Sequence, residues 1–600
     1  MSSTGSSWRD ELNWHNLVRR FRSRPPEQAV LLFTALLVGV ATGFGAVFFR
    51  WLIVKVTRIS FEWLPQVTQG AGSAYLVIAP TVGGLLVGLL VYYFAPEAKG
   101  HGVPEVMEAV ALRGARIRPV VALVKSLASS ICIGTGGSVG REGPIVQIGS
   151  ALGSSLGQML KLSRDRLRNL VACGAAAGIA ATFNAPIAGT VFALEVILGS
   201  FAVPAFGTVV ISSVTASVIG RWAFGDVPAF VVPEYSLDSL WEFPIYLALG
   251  VAAAIAATIY TRSIYSMEDL WDRWKLQPWL KPAVGGLLLG IMALVYGRLP
   301  ILSFDVVPQV FGVGYATIDG ALNGTLLLPV MLLLLVLKIF ATSLTLGSGG
   351  SGGVFAPSLF VGALLGGCVG LAAEMLFPGL PGPPGAYALV GMGAVFAGAT
   401  HAVMTAVIIM FEMTGDYKII LPLMLSVVTA TLLTRWTMYG ESIYTLKLTR
   451  RGVRLQHGRD VDVLQRVRVE DVMTRLLVNM RPGDSMEEAT RVFLRTNRVA
   501  LTVLDEEDRL VGIISLSDLR HATEAEGTEG KTVGEVMTRS LITAYPDETL
   551  DLILRRMGPG DLSRLPVVLR DDPTRLVGVL RRNDLVRAYN LARTQEGLDS

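Results

Sequence analysis

The chain has 600 residues, of which 52% are hydrophobic and 17% charged, and its formal net charge is +4. A mean hydropathy of +0.52 over that length excludes a water-soluble globular enzyme, which carries more charge and less apolar bulk. The net charge itself points to no class of partner, and no nucleic-acid partner is expected.

The chain opens on a basic segment, residues 1–27, in which LVRRFRSRPP sets Arg19, Arg20, Arg22 and Arg24 just ahead of the first apolar run. The positive-inside rule places such a cluster in the cytoplasm. A membrane domain over 28–447 follows, with candidate spans at 29–50, 75–94, 244–261, 281–297, 324–346, 358–377 and 416–436, each near the roughly 17–25 residues that cross a bilayer. Arg450, Arg451 and Arg454 come after the last span, so both termini are expected in the cytoplasm of a multi-pass plasma or inner membrane protein. Cys132, Cys173 and Cys368 lie inside apolar segments without paired or metal-ligand spacing and are read as packing residues. No metal site is expected.

Between the spans, three segments break helices with glycine and restart them with proline: GHGVP (100–104), GREGP (140–144) and GVFAP (353–357). Pro144 is expected to open a helix at its first position. The orphan N–H groups and positive dipole end of that helix would then face Glu142, or an anion in its place. An intramembrane carboxylate costs about 2.5–3.5 kcal/mol on insertion scales and is a functional residue by default. Several helix starts aimed at one point make a site of partial positive charge, suited to a small anion that must bind and leave quickly.

The membrane region also matches itself at an offset of about 215 residues. GREGP pairs with GVFAP, and GAAAGIAATFNAPIAGTVFALE (174–195) pairs with GMGAVFAGATHAVMTAVIIMFE (391–412), which aligns Gly174 with Gly391 and Glu195 with Glu412. Two related halves with interrupted helices indicate a transporter whose site lies near the bilayer midplane.

In order and context, GHGVP, GREGP, GVFAP and Tyr444 in GESIYTLKL, with TFNAPIAGTVFALE and MFEMTGDYKIILP, resemble the signature segments of the CLC family of chloride channels and proton-coupled chloride exchangers. The resemblance implies an all-α polytopic membrane domain of two inverted repeats of tilted and broken helices. It implies that Glu142 gates the anion path and that His101, Gly102, Arg141, Gly143, Val354, Phe355, Ala356 and Tyr444 line it. Chloride is the implied ion, with protons as a second one, in a homodimer with one pore per subunit.

Two positions depart from the family pattern. His101 stands where a serine usually donates to the central anion; its imidazole either donates one hydrogen bond or turns aside and leaves the work to backbone amides. Val196 stands where proton-coupled members carry an internal relay glutamate, and valine cannot carry a proton. The expectation is channel-like or weakly proton-coupled chloride transport, with a proton-coupled antiporter as the alternative. Lys125 and Arg141 would add positive potential to the path unless each pairs with a buried glutamate. Glu412 is expected to be a structural acceptor rather than a gate.

From about residue 451 onward roughly a third of the residues are charged, which marks a soluble domain. After a linker over 448–467, two copies of one unit are expected at 468–525 and 531–590, ahead of a tail at 591–600. EDVMTR recurs as GEVMTR, and RLVGIISLSDL recurs as RLVGVLRRNDL. Each unit reads as a VMT segment, a helix, a strand, a turn, a second strand and a closing helix. The pair resembles the tandem CBS domains of CLC proteins, a cytoplasmic α+β module that takes adenine nucleotides (ATP, ADP or AMP) in some members. By that resemblance Ser515, Asp518, Arg581 and Asp584 are the candidate nucleotide residues, or the module serves dimerisation alone. A CBS-bearing magnesium transporter is the rival of another class, although it would need clustered hard oxygen ligands. No nucleophile–base set or cofactor loop suggests an enzyme.

Overall fold

The computed structural model describes residues 27–451 except 68, 202, 227–229, 231–238, 300–306, 379–381 and 416, and residues 467–588 except 476–477, 497, 527–530, 558–563, 582–583 and 585–587. The arginines at 19, 20, 22, 24 and 454, and the tail from 591, lie outside the described residues. The chain divides into Met1–Leu455 and Gln456–Ser600.

The first unit is helical. α1 (Glu27–Arg58), α2 (Tyr75–Phe94), α3 (Val103–Leu112) and α4 (Val120–Gly134) lead to α5 (Glu142–Met159) and α6 (Arg164–Phe183). Next come α7 (Pro186–Phe192), prolonged by a π turn over Ala193–Leu198, and α8 (Val203–Phe224). The series then repeats as α9 (Glu242–Arg273), α10 (Lys281–Tyr296), α11 (Tyr315–Leu322), α12 (Leu328–Gly347), α13 (Phe355–Leu376), α14 (Pro384–Thr400), α15 (Val403–Thr414) and α16 (Ile420–Thr437). A short α17 (Thr445–Arg450) closes the unit. Thus α1–α8 have counterparts in α9–α16, and the first pair match in length at 32 residues each.

Among the described residues seven helices are long and apolar enough to span a membrane, and they differ from the expected set at two places. The run at 281–297 forms only the 16-residue α10, whereas Ala205–Phe224 qualifies as a span. That helix carries Thr208, Ser212, Ser213, Thr215, Ser217 and Arg221, which dilute its hydropathy. Its hydroxyls are satisfied inside the protein: Thr215 Oγ1 donates to the carbonyl of Ile211, and Ser212 Oγ to that of Cys173.

The most extensive helix contacts are α13 on α14 and α5 on α6, which are equivalent pairs. In each, glycine removes the side chain at the crossing. A Cβ on Gly149 would collide with the carbonyl of Gly174, and one on Gly362 with that of Gly391. Lipid offers no hydrophobic drive between spans, so such backbone proximity supplies van der Waals contact in its place. The three cysteines are unpaired and buried among these helices.

In the second unit β1 (Asn479–Met480), β2 (Ala500–Leu504) and β3 (Leu510–Ser515) form a sheet in that order, β1 parallel and β3 antiparallel to β2. The second copy pairs β4 (Arg564–Val568) with β5 (Leu576–Arg581) in antiparallel fashion, and Ala544 adds a parallel bridge to Val567. Against the sheets lie α18 (Val469–Val472), α19 (Met486–Thr496), α20 (Leu516–Glu526), α21 (Val533–Val536) and α22 (Leu550–Met557). The VMT segments are exchanged between the copies, which the repeat alone does not show. Thr474 bridges to Val579 and Thr538 to Ile513, while Val469 packs with Leu550 and Val533 with Met486.

Candidate functional site

The three glycine-proline segments meet at the centre of the membrane unit. Gly140 and Gly353 exchange backbone hydrogen bonds of 2.8 and 2.7 Å, and Gly100 pairs with Ser351 through bonds of 3.0 and 3.3 Å to its neighbours. Gly102 has φ +89°, open only to glycine without strain, and caps α3. A Cβ on Gly143 would collide with the carbonyl of His101. The helices start earlier than their prolines suggest: Glu142 is the first residue of α5, and Phe355 the first of α13.

Glu142 is 1% exposed. Its Oε2 accepts from the N–H of Ala356 at 3.4 Å, and its Oε1 from the hydroxyl of Tyr315 at 3.0 Å. The carboxylate of one half therefore lies on the helix start of the other, where orphan N–H groups and the dipole favour an anion. Gly140 makes this possible, because a side chain there would overlap the Glu142 carboxylate.

Helix α9 fixes two of the expected lining segments. Tyr260 donates to the carbonyl of Val354 at 3.0 Å, and Tyr265 to that of Ile443 at 2.6 Å. Phe355 is held between Phe183 and Phe396, with ring centroids at 5.2 and 4.2 Å. Tyr444 is 2% exposed. His101 is 3% exposed, lies edge-on to Tyr265 at 6.0 Å, and its Nδ1 has no hydrogen-bond partner among the described residues.

Neither cation of the expected pathway pairs with a glutamate side chain in the hydrogen bonds observed. Lys125 Nζ donates to the carbonyls of Ala98 (3.0 Å) and Gly100 (2.7 Å), so its charge neutralises a turn. The guanidinium of Arg141 stands 5.2 Å from the ring centroid of Tyr315. The ion pairs next to GHGVP are Arg451 with Glu108 at 3.0 Å and the buried pair Lys447 with Glu105 at 2.8 Å, whose carboxylate also accepts from the N–H of Gly102 at 3.2 Å.

Val196 lies buried in the π turn after α7. Its neighbour Glu195 accepts from the N–H groups of Met404 (3.2 Å) and Thr405 (2.9 Å) at the start of α15. Reciprocally, Glu412 accepts from Ile187 (3.0 Å) and Ala188 (2.6 Å) at the start of α7. Both carboxylates cap helices.

In the second unit Asp518 Oδ2 accepts from the N–H (2.8 Å) and the hydroxyl (2.7 Å) of Ser515. Asp584 accepts from the N–H of Arg581 at 3.0 Å. The arginine side chain donates to Thr474 at 3.1 Å. Partial burial, then the nearby charges of Arg581 and Arg498, hold the Arg564 guanidinium below its ordinary pKa, which marks a cationic cluster on this unit.

Sequence reasoning missed Tyr315, Tyr260 and Tyr265. The signal for Tyr315 was present: it follows Gly312-Val313-Gly314, the internal counterpart of Gly100-His101-Gly102. The two α9 tyrosines sit in a periodic apolar helix, where nothing separates them from packing residues.

The family described as voltage gated chloride channel matches residues 83–435, and the CBS domain matches 469–525 and 533–591. The chloride channel protein CLC-f of Arabidopsis thaliana is 30% identical over 92% of this chain and 78% of its own length. The H(+)/Cl(-) exchange transporter ClcA of Vibrio cholerae is 32% identical over 72% of this chain and 92% of its own. Among solved structures, a slow cyanobacterial Cl-/H+ antiporter superposes with a TM-score of 0.62 at 26% identity, covering 70% of this chain and 97% of that one.

Proposed function

The chain belongs to the voltage gated chloride channel family, and we propose that it carries chloride along the path now filled by the Glu142 side chain, which acts as its gate. The observation that carries this reading is the Glu142 carboxylate on the N-terminus of α13, held by Ala356 N–H and Tyr315. A tethered anion in an anion site competes with free ones, and protonation weakens its hold. Gly102, Arg141, Gly143, Val354, Phe355 and Tyr444 line the path, together with the unpartnered imidazole nitrogen of His101. The magnesium-carrier alternative has no support in this family assignment.

Transport is channel-like or weakly coupled, because Val196 offers no proton acceptor. The second reading, proton-coupled exchange, is favoured by the names of ClcA and the cyanobacterial antiporter. The protein functions as a homodimer with both termini cytoplasmic. On the CBS pair, Ser515 in the first copy and Arg581 in the second meet the phosphates of a bound adenine nucleotide, and Asp518 or Asp584 of the same copy its ribose diol.

Ion-replacement flux from proteoliposomes tests the reading. Efflux that follows the chloride gradient and stops when chloride is replaced by gluconate is expected. Efflux that persists with gluconate and instead requires potassium or magnesium overturns it.

A further inference from the structure

Tyr315 is the first residue of α11 and belongs to no segment that identifies the anion path. Its hydroxyl nevertheless donates to Oε1 of Glu142 at 3.0 Å. We propose that Tyr315 is the latch of the gate: a positioning residue whose hydroxyl holds the Glu142 side chain across the path. This rests on the gating role of Glu142 given above and specifies what keeps that gate closed.

Three features fix the hydroxyl. Gly314 before it has φ +84°, which turns the chain so that α11 begins at the tyrosine. The ring lies edge-on to Phe230, with centroids 5.4 Å apart. On another side the Arg141 guanidinium stands 5.2 Å from the ring centroid, an attractive cation–π distance. The ring is therefore aimed by contacts other than its bond to Glu142, and the O–H meets a carboxylate that among the described residues has one other hydrogen-bond donor outside its own segment, the N–H of Ala356. A hydrogen bond to an ionised carboxylate is stronger than one to a neutral group. The hydroxyl thus favours the charged, path-filling glutamate over the protonated or swung-out one.

The internal symmetry makes Tyr315 informative. Its counterpart in the first half is Val103, which follows Gly100-His101-Gly102 as Tyr315 follows Gly312-Val313-Gly314. Glu142 likewise corresponds to Phe355. One half supplies the carboxylate and the other half the phenol, so the latch exists once.

The test is chloride efflux from proteoliposomes across a pH series with native protein, Tyr315→Phe, Glu142→Ala and the double variant. Tyr315→Phe keeps the ring against Phe230 and Arg141 and removes only the hydroxyl. Its efflux at neutral pH is expected to rise about tenfold, the effect of losing one charge-assisted hydrogen bond, and the pH of half-maximal efflux is expected to move upward. In the Glu142→Ala background the same substitution is expected to change neither quantity. An unchanged pH profile in Tyr315→Phe overturns the latch, as does an equal change with and without Glu142. If Glu142→Ala alone leaves efflux and its pH profile native, the gating role itself fails, which is a separate result.

Discussion

Lys125 and Lys338 hold equivalent turns in the two halves of the membrane unit. Lys125 Nζ donates to the carbonyls of Ala98 and Gly100, and Lys338 Nζ to those of Val310 (3.1 Å) and Gly312 (2.9 Å). Both lysines are 0% exposed. The hydroxyl pairs Ser129–Ser351 (2.9 Å) and Ser138–Thr342 (3.3 Å) obey the same relation with their members exchanged. Reciprocity of this kind requires a local two-fold relation between the halves, across which the segments that start α5 and α13 meet through Gly140 and Gly353.

Each lysine satisfies two buried carbonyls beside a glycine turn. Lys338→Met keeps most of the alkyl chain and removes the ammonium donor from both acceptors, at a cost of about 1–3 kcal/mol for each unsatisfied group. A lower unfolding temperature in detergent is expected for Lys338→Met, and a smaller loss for Lys125→Met, because Ala98 and Gly100 keep the Ser351 hydroxyl and the Gly352 N–H as donors. A native melting curve for Lys338→Met would contradict this role.

Gly140 provides the space into which the Glu142 carboxylate folds. Gly140→Ala is therefore expected to expel that side chain and raise chloride efflux at neutral pH severalfold, much as deleting the carboxylate does. The check is efflux with Gly140→Ala alone and combined with Glu142→Ala. Additive effects would show that the added methyl acts elsewhere.

Glu195 and Glu412 cap one another's helix starts across the α7–α15 contact. Glu412→Gln keeps an acceptor but gives up the charge at a helix N-terminus, and a stability loss of about 1 kcal/mol is expected. Anion selectivity and the pH dependence of efflux are expected to stay native, since neither carboxylate touches Glu142. A changed pH profile would assign Glu412 a role in the path.

Val196 supplies no relay carboxylate. A chloride gradient is therefore expected to drive little or no uphill proton movement in the native protein. Val196→Glu is expected to introduce or increase such movement, read as proton uptake in a weakly buffered vesicle suspension. Strong coupling in the native protein would favour the exchanger reading and a proton route that avoids position 196.

Much of this architecture is legible in the sequence because its elements are punctuated. GREGP and GVFAP carry glycines where backbones touch and prolines in the first helical turn, and their offset gives the repeat. The span over Ala205–Phe224 is not legible by hydropathy, since its serines and threonines find partners only once the helix is packed. Exchange of the VMT segments is a three-dimensional relation between two similar copies, and similarity hides which copy each segment completes. Tyr315 is hidden for another reason: its role depends on a hydroxyl meeting a carboxylate 173 residues away, and only the counterpart of GHG in the second half points to it.

The most direct test compares the pH dependence of chloride efflux from proteoliposomes in native protein and Glu142→Gln. If the side chain of Glu142 is a tethered anion that closes the path, native efflux increases as pH falls and the carboxylate protonates. Glu142→Gln then gives fast efflux that no longer varies with pH. Efflux from Glu142→Gln that matches the native rate at every pH would contradict the account.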